Sequence, residues 1–438
     1  PPPTQWTVPI GLWQPVSLHA PGPVLIESLN IFPTVINPDW QSGRAEAATL
    51  KVVAAVRNLA AEQQTAELAL NIAPNNFVER DGISLYKQTL NLAGNEHRTL
   101  EFNRTLPSPR LWFPWTHGEP HLYQAQLTIS TRSVQFSNKI AQDFGVRDVR
   151  AVIEPGRWEW HLNGRRIFPK GSNYVSDFYL NRVIPEGLRR DLDLARNANL
   201  DLLRVHAHIA PPDFYHLCDE LGVMVMCDFP LIWTYAFNLP PDDDIAFRAS
   251  VQAQVEDMVR LLGSHPGVVL WSMHNEPPWT PDGSFLGGDV HRAEVNRPMD
   301  EASAARAREL DSTRPVIAAS GEYDQHLYHG WYTGSWPDNR NLRPAFPTEF
   351  GVQALPNLDS PFWATANTNW PVDSDDPSWA HAGYQSVFWA SPGVGAPSQF
   401  GTLADYVAAS QAYQAFFTRY VIDQWRRKKF DPVGGYIH

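Results

Sequence analysis

Across residues 24–147 apolar and polar positions alternate in short runs. Leu50, Val52, Ala54 and Val56 form one run; Leu68, Leu70 and Ile72 form another; residues 122–129 give a third. Pro74-Asn75-Asn76, Asp81-Gly82 and Gly94-Asn95 separate such runs with turn chemistry. Successive side chains on a strand point to opposite faces. Period-two runs with no helical stripe between them therefore predict an antiparallel sandwich of immunoglobulin type over residues 23–148.

After Asp148 the period changes, and strand-like runs alternate with helical stripes, as in βα units around a parallel sheet. The strands are expected at 167–174, 200–208, 222–233, 268–273, 315–320, 327–332 and 345–351, with an eighth just beginning at the C-terminus. Between them Leu188, Leu192 and Ala195 recur at i, i+4, i+7 behind Pro185, which suits a first helical turn. Phe214, Leu217, Cys218 and Leu221 share one helical face, with Gly222 placed to cap it. Phe247, Val251, Val255, Met258 and Leu262 form a longer stripe ended by Gly263. The last helix, 402–425, opens with Thr402 and Asp405 at the spacing of a capping box. This alternation predicts a (β/α)8 barrel, a TIM barrel, over 149–438. Residues 356–399 carry Trp363, Trp370, Trp379 and Trp389 without periodicity and read as an ordered flap.

The length, 438 residues, accommodates two to four domains. With 35 Lys and Arg against 47 Asp and Glu, the net charge of −12 argues against nucleic acid as a partner, since phosphates are met by Lys and Arg. No apolar run is long enough for a membrane-spanning helix. Two cysteines cannot make a disulfide scaffold, and Cys218 and Cys227, one helical and one on a strand, read as buried packing. There is no signal-peptide pattern, and sparse thiols suit several compartments, so localisation is left open. The 17 Trp, 14 Tyr and 21 Phe exceed what a core requires, which leaves rings for a flat, weakly polar ligand such as a sugar.

In such a barrel the reactive groups sit at the carboxyl ends of the strands. Those ends carry Arg204, His206 and His208, then Asp228, then His274-Asn275-Glu276, and finally Glu349. Glu276 follows an apolar strand and precedes Pro277-Pro278, a partly desolvated position that suits a general acid. Taken alone, either glutamate reads as a solvated turn residue. Taken together, strands four and seven of eight lie across the bore, and carboxyl groups about 5–5.5 Å apart could divide attack and proton transfer between them. The His206-Ala207-His208 pair opens a competing reading, a metal-dependent barrel hydrolase with Asp228 and His274 as further ligands, beside the plainer one of a polar wall touching substrate hydroxyls. Trp233, Trp279 and Trp331, just beyond strand ends, read as stacking platforms for a sugar ring. A third class is a non-catalytic carbohydrate-binding fragment.

The chain resembles glycoside hydrolase family 2, the β-galactosidase, β-glucuronidase and β-mannosidase group. Gly11-Leu12-Trp13-Gln14-Pro15-Val16 is similar to the closing strand of its N-terminal sugar-binding jelly roll, which makes 1–22 the expected remnant of that domain. Leu111-Trp112-Phe113-Pro114, His121-Leu122-Tyr123 and Phe144-Gly145-Val146-Arg147 resemble its sandwich signature; Leu162-Asn163-Gly164-Arg165-Arg166-Ile167 with Lys170-Gly171 resembles the entry to its barrel. The resemblance implies a retaining exo-β-glycosidase acting on terminal β-linked sugars without cofactor or metal. By it Glu349 would be the nucleophile, Glu276 the acid/base, Asn275 the partner of the sugar 2-hydroxyl and Arg204 a pocket arginine. Asp324, His326 and Tyr328 resemble its sixth-strand group, with Tyr328 orienting the nucleophile. Asp219-Glu220-Leu221-Gly222 followed by Asp228-Phe229 is similar to the β-mannosidase branch, ahead of β-galactosidase or β-glucuronidase specificity. Val205-His206-Ala207-His208, His274 and Pro277 depart from that branch. With most of the jelly roll absent and the eighth strand cut short, the chain is expected to be a segment of a longer polypeptide.

Overall fold

The structure is a computed structural model that describes residues 16–79, 84–132, 137–176, 183–233, 241–282, 296–373, 376–381 and 393–438. Two compact units are present, one of residues 16–152 with Glu159–Glu322, the other of Ile153–Trp158 with Tyr323–His438. The motif at Gly11 lies outside the described residues, and 16–22 form no strand.

The first unit opens with seven antiparallel strands: β1 Val24–Asp39, β2 Arg44–Asn58, β3 Gln64–Pro74, β4 Ser84–Leu92, β5 His97–Pro107, β6 Tyr123–Thr131 and β7 Asn138–Phe144. They form sheets of order β1-β2-β5 and β4-β3-β6-β7. Leu50, Val52, Ala54 and Val56 of β2 are wholly buried while the residues between them are not, which is the alternation the sequence predicts for a sheet covered on one face. Strands β8 Val149–Glu154, β9 Arg157–Leu162 and β10 Arg165–Ile167 follow, with β9 and β10 paired as a hairpin from Trp160↔Ile167 to Leu162↔Arg165.

The rest of this unit is a parallel sheet in chain order: β11 Lys170–Tyr174, β12 Leu202–Val205, β13 Met224–Asp228, β14 Val268–Ser272 and β15 Val316–Ile317. Helices α1 Pro185–Asn197, α2 Pro212–Leu221, α3 Pro241–Leu262 and α4 Arg297–Leu310 alternate with the strands. Leu188 and Leu192, Phe214 and Cys218, and Val251, Val255 and Met258 join Val205, Val225 and Trp271 in one apolar core. Gly222 ends α2 at φ +66°, and a Cβ there would lie 2.6 Å from the Trp115 nitrogen, so conformation and space both require glycine. Arg147, at the end of the sandwich, is buried and donates to the carbonyls of Pro266, Thr313 and Val268, which ties the chain leaving β7 to the base of β14.

The second unit holds β16 Gln325–His326 and β17 Pro347–Glu349, paired in parallel, with β18 Tyr436–Ile437 beside β17. Its long helix, α5 Leu403–Arg427, starts at Thr402, whose hydroxyl accepts from the Asp405 amide (3.1 Å) and donates to the Asp405 carboxylate (2.8 Å). Trp363 and Trp379 pack edge to face with ring centres 5.6 Å apart, and the Trp370 indole donates to the Phe400 carbonyl. Trp389 lies outside the described residues.

Two elements differ from expectation. The sixth parallel strand is 325–326 rather than 327–332: Gly330 at φ +101° and the Trp331 N–H to Tyr328 carbonyl bond (3.0 Å) turn the chain. The apolar positions there are rings packed on each other, Trp331 on Tyr332 at 4.3 Å and Tyr328 edge-on to both. Helix α4 was not anticipated, because its buried face is Met299, Ser303, Ala304 and Ala307, small residues that leave little hydrophobic period.

Candidate active-site residues

In the first unit the candidates collect at the carboxyl ends of β12, β13 and β14. Arg204, on β12, is fully buried; its Nε donates to Asp228 Oδ2 (2.8 Å) and its terminal nitrogens to Asn173 Oδ1 (3.4 Å) and Asn275 Oδ1 (2.5 Å). Four adjacent strands, β11 to β14 with the residues just beyond it, are thereby joined by one guanidinium, whose planar fork suits several fixed acceptors at once. Beyond β14 the backbone continues to bridge its neighbours: Asn275 N–H donates to the Leu231 carbonyl, Trp233 N–H to that of Asn275, and Glu276 N–H to that of Ser320. Ala207, Trp233 and Glu276, each just past a strand end, hold φ of +52°, +58° and +50°. A side chain held in that region costs on the order of 1–3 kcal/mol and marks functional loops. The Trp233 indole N–H donates to Glu276 Oε2 at 2.9 Å, so the acid candidate is held by the ring expected to stack on sugar.

Buried polar atoms at these strand ends remain unmatched among the described residues: Asn275 Nδ2, Asp228 Oδ1 and His208 Nε2. His208 Nδ1 lies 3.1 Å from the His206 carbonyl, and burial holds its pKa below the ordinary histidine value. Among the described residues His206 and His208 belong to no group of three ligand atoms within 4.8 Å of one another, and of the two further ligands the metal reading needs, Asp228 pairs with Arg204 and His274 with Asp300. That Asp300, 0% exposed on α4, also accepts the Trp279 indole N–H (2.8 Å). Sequence reading missed it, since nothing about an aspartate in the first turn of an unanticipated helix sets it apart. Trp279 is accordingly a half-buried brace of His274, with the Arg297 guanidinium over its ring, rather than an open platform. Cys218 and Cys227 are free and buried, and burial pushes the Cys227 thiol up to about 12.

In the second unit Glu349 ends β17 and is 7% exposed. Tyr328 donates its hydroxyl to Glu349 Oε2 at 2.5 Å, and His326 Nδ1 stands 3.6 Å from the same oxygen. His326 Nε2 lies 3.7 Å from Asp324 Oδ2, which also accepts the Thr348 hydroxyl. A carboxylate met by a phenol and an imidazole is fixed in direction, as a nucleophile must be. Trp331, beside Tyr328, is half-buried in its ring stack.

The model of glycosyl hydrolases family 2 matches residues 30–147, and the model of that family's TIM barrel domain matches 159–355. Together they cover more than two thirds of the chain, the sandwich and the barrel in the expected order. An exo-β-D-glucosaminidase of Hypocrea jecorina is 24% identical over 88% of this chain and 39% of its own length. A β-mannosidase of Capra hircus is 30% identical over 60% of this chain and 33% of its own. Among solved structures, a β-D-mannosidase from Dictyoglomus thermophilum superposes with a TM-score of 0.75 at 21% identity, over 94% of this chain and 51% of that one. The chain thus spans about two fifths or less of these curated relatives. With an immunoglobulin-like sandwich leading into a TIM barrel, and both domain models matched, it belongs to glycosyl hydrolases family 2.

Proposed function

We propose that the chain is the catalytic portion of a retaining exo-β-glycosidase. Glu349 attacks the anomeric carbon of a terminal sugar and forms a covalent glycosyl-enzyme. Glu276 gives its proton to the departing oxygen and then takes one from the incoming water, so two inversions restore the β configuration. The reaction uses two carboxylates and water and needs no cofactor.

The observation that carries this reading is Asn275. It is 1% exposed, its oxygen is taken by Arg204, and its Nδ2 has no partner among the described residues. A buried donor left unpaired costs about 1–3 kcal/mol. We assign it the sugar 2-hydroxyl, next to the carbon that reacts. Asp228 Oδ1 and His208 Nε2 extend the same unmatched set toward further hydroxyls, His206 adds polar wall, and Trp233 and Trp331 offer ring faces. The residue pattern at 219–222 and 228–229 and the Capra hircus relative favour a β-mannoside. A second reading, a β-glucosaminide, is favoured by Asp228 Oδ1, an acceptor fit for a 2-ammonium group, and by the Hypocrea jecorina relative.

A panel of nitrophenyl β-glycosides tests the sugar, with mannoside expected above glucosaminide, galactoside and glucuronide. A 2-fluoro glycosyl fluoride of the accepted sugar tests the roles: peptide mapping is expected to find the adduct on Glu349. An adduct on another residue overturns the assignment.

A further inference from the structure

At the opposite end of β14 from Asn275 and Glu276 stands a cluster that the proposed reaction does not use. His216 and Asp219 lie at i, i+3 on α2 and so share a helix face. His265 reaches them from the turn between α3 and β14. Its Nδ1 is 2.6 Å from Asp219 Oδ2, and the two side chains are 4% and 2% exposed. Both are clamped. Asp219 Oδ1 accepts the Gly267 amide (2.9 Å), while His265 donates its own amide to the Leu262 carbonyl and accepts Arg314 on its carbonyl. His216 is exposed, with its ring centre 4.8 Å from that of His265 at 73° between planes.

We propose that His216, Asp219 and His265 bind a divalent transition metal of the zinc class. One nitrogen of each histidine and one carboxylate oxygen lie within 4.8 Å of one another. Tetrahedral zinc, with bonds of about 2.0–2.2 Å, sets its ligand atoms about 3.4 Å apart. The metal takes the place of the proton between His265 Nδ1 and Asp219 Oδ2, that proton leaving Nδ1 for Nε2 or solvent. His216 closes from outside by up to about 1.4 Å, from 4.8 Å to the tetrahedral spacing, which an exposed ring with no hydrogen-bond partner among the described residues can do; His265 Nδ1 and Asp219 Oδ2 part by about 0.8 Å from 2.6 Å, and water fills the fourth position. Two of three ligands are held before the ion arrives, which lowers the ordering cost of binding. The ion joins α2 to the turn entering β14, so it acts on stability rather than on the reaction.

The test is to titrate zinc chloride into the chelator-treated chain by calorimetry and to follow thermal unfolding. One equivalent is expected to bind, with Tm rising on the order of 3–5 °C at a hundredfold excess over Kd. Cobalt(II) in its place is expected to give the visible absorption of a tetrahedral ion. His216→Ala, which leaves the Asp219–His265 bond intact, is expected to fold as the parent does, to bind at least tenfold more weakly and to show about half of the Tm shift or less at the same zinc concentration. No saturable binding by the parent, or equal binding by His216→Ala, overturns the site.

Discussion

Tyr328 is the residue on which the reading of Glu349 is most directly tested. Its hydroxyl donates to the carboxylate oxygen at 2.5 Å, a charge-assisted bond of the stronger kind. Such bonds contribute about 1.5–3 kcal/mol, so Tyr328→Phe is expected to lower kcat roughly ten- to a hundredfold. KM should change little and Tm should fall by no more than about 2–3 °C, the worth of one such bond in a chain of this size, because the ring and its contacts remain. A Tm loss equal to that of a core deletion would assign Tyr328 to packing instead. His208 gives a second prediction at this scale. Burial keeps its folded pKa below the unfolded value of about 6.5, so the unfolded chain binds more protons as pH falls past 6.5. Stability therefore falls with pH from there down to the depressed folded value, below which the loss is complete. His208→Asn, which cannot take up that proton, is expected to flatten the decline of Tm between pH 7 and pH 5; an unchanged slope would place the acid sensitivity in other groups.

At the scale of elements, Arg147 shows how the sandwich is fastened to the sheet that follows it. Its buried guanidinium serves three backbone carbonyls, that of Pro266 just before β14, that of Val268 at its start and that of Thr313 ahead of β15. Arg147→Met keeps much of the volume but leaves the Pro266 and Thr313 carbonyls without this donor, while Val268 keeps Arg314 (2.6 Å). At about 1–3 kcal/mol for each stranded group, a loss of roughly 3 kcal/mol or more is expected in urea unfolding; a loss below 1 kcal/mol would mean that water replaces the donor. Elements were legible in the sequence where one rule governed them. Period-two runs marked β2, β3 and β6, and large apolar residues at helical spacing marked α1, α2 and α3. Helix α4 escaped because alanine and serine bury its face without a hydrophobic period. The sixth strand was displaced because aromatic residues at 328–332 imitate a strand while packing on one another around Gly330. The strand-end residues Arg204, Asp228, Asn275 and Glu349 could be named from their positions. The bonds between them could not, since no local pattern says that Arg204 serves three strands or that Asp300 supports His274.

For the molecule as a whole, the proposed mechanism draws its two carboxylates from strands far apart in the chain, each steadied by a different neighbour, Trp233 for Glu276 and Tyr328 for Glu349. Replacing each in turn separates their roles. Glu276→Ala removes the proton donor, and general acid catalysis contributes about 10²–10⁴-fold. The loss in that variant is expected to depend on the leaving group, large for an alkyl glycoside and small for a dinitrophenyl glycoside, whose phenolate departs without a proton. Its glycosyl-enzyme should then accumulate, because water lacks a base. Azide, a nucleophile that needs none, is expected to restore turnover and yield the β-glycosyl azide. Glu349→Ala has no such escape through the leaving group, since no covalent intermediate forms, and its loss should be as severe for activated substrates as for poor ones. Azide acting from the opposite face should give the α-azide there. A β product from one variant and an α product from the other follow only if Glu276 handles protons and Glu349 handles carbon. The same anomer from both variants would show that one of the two carboxylates has been given the wrong role.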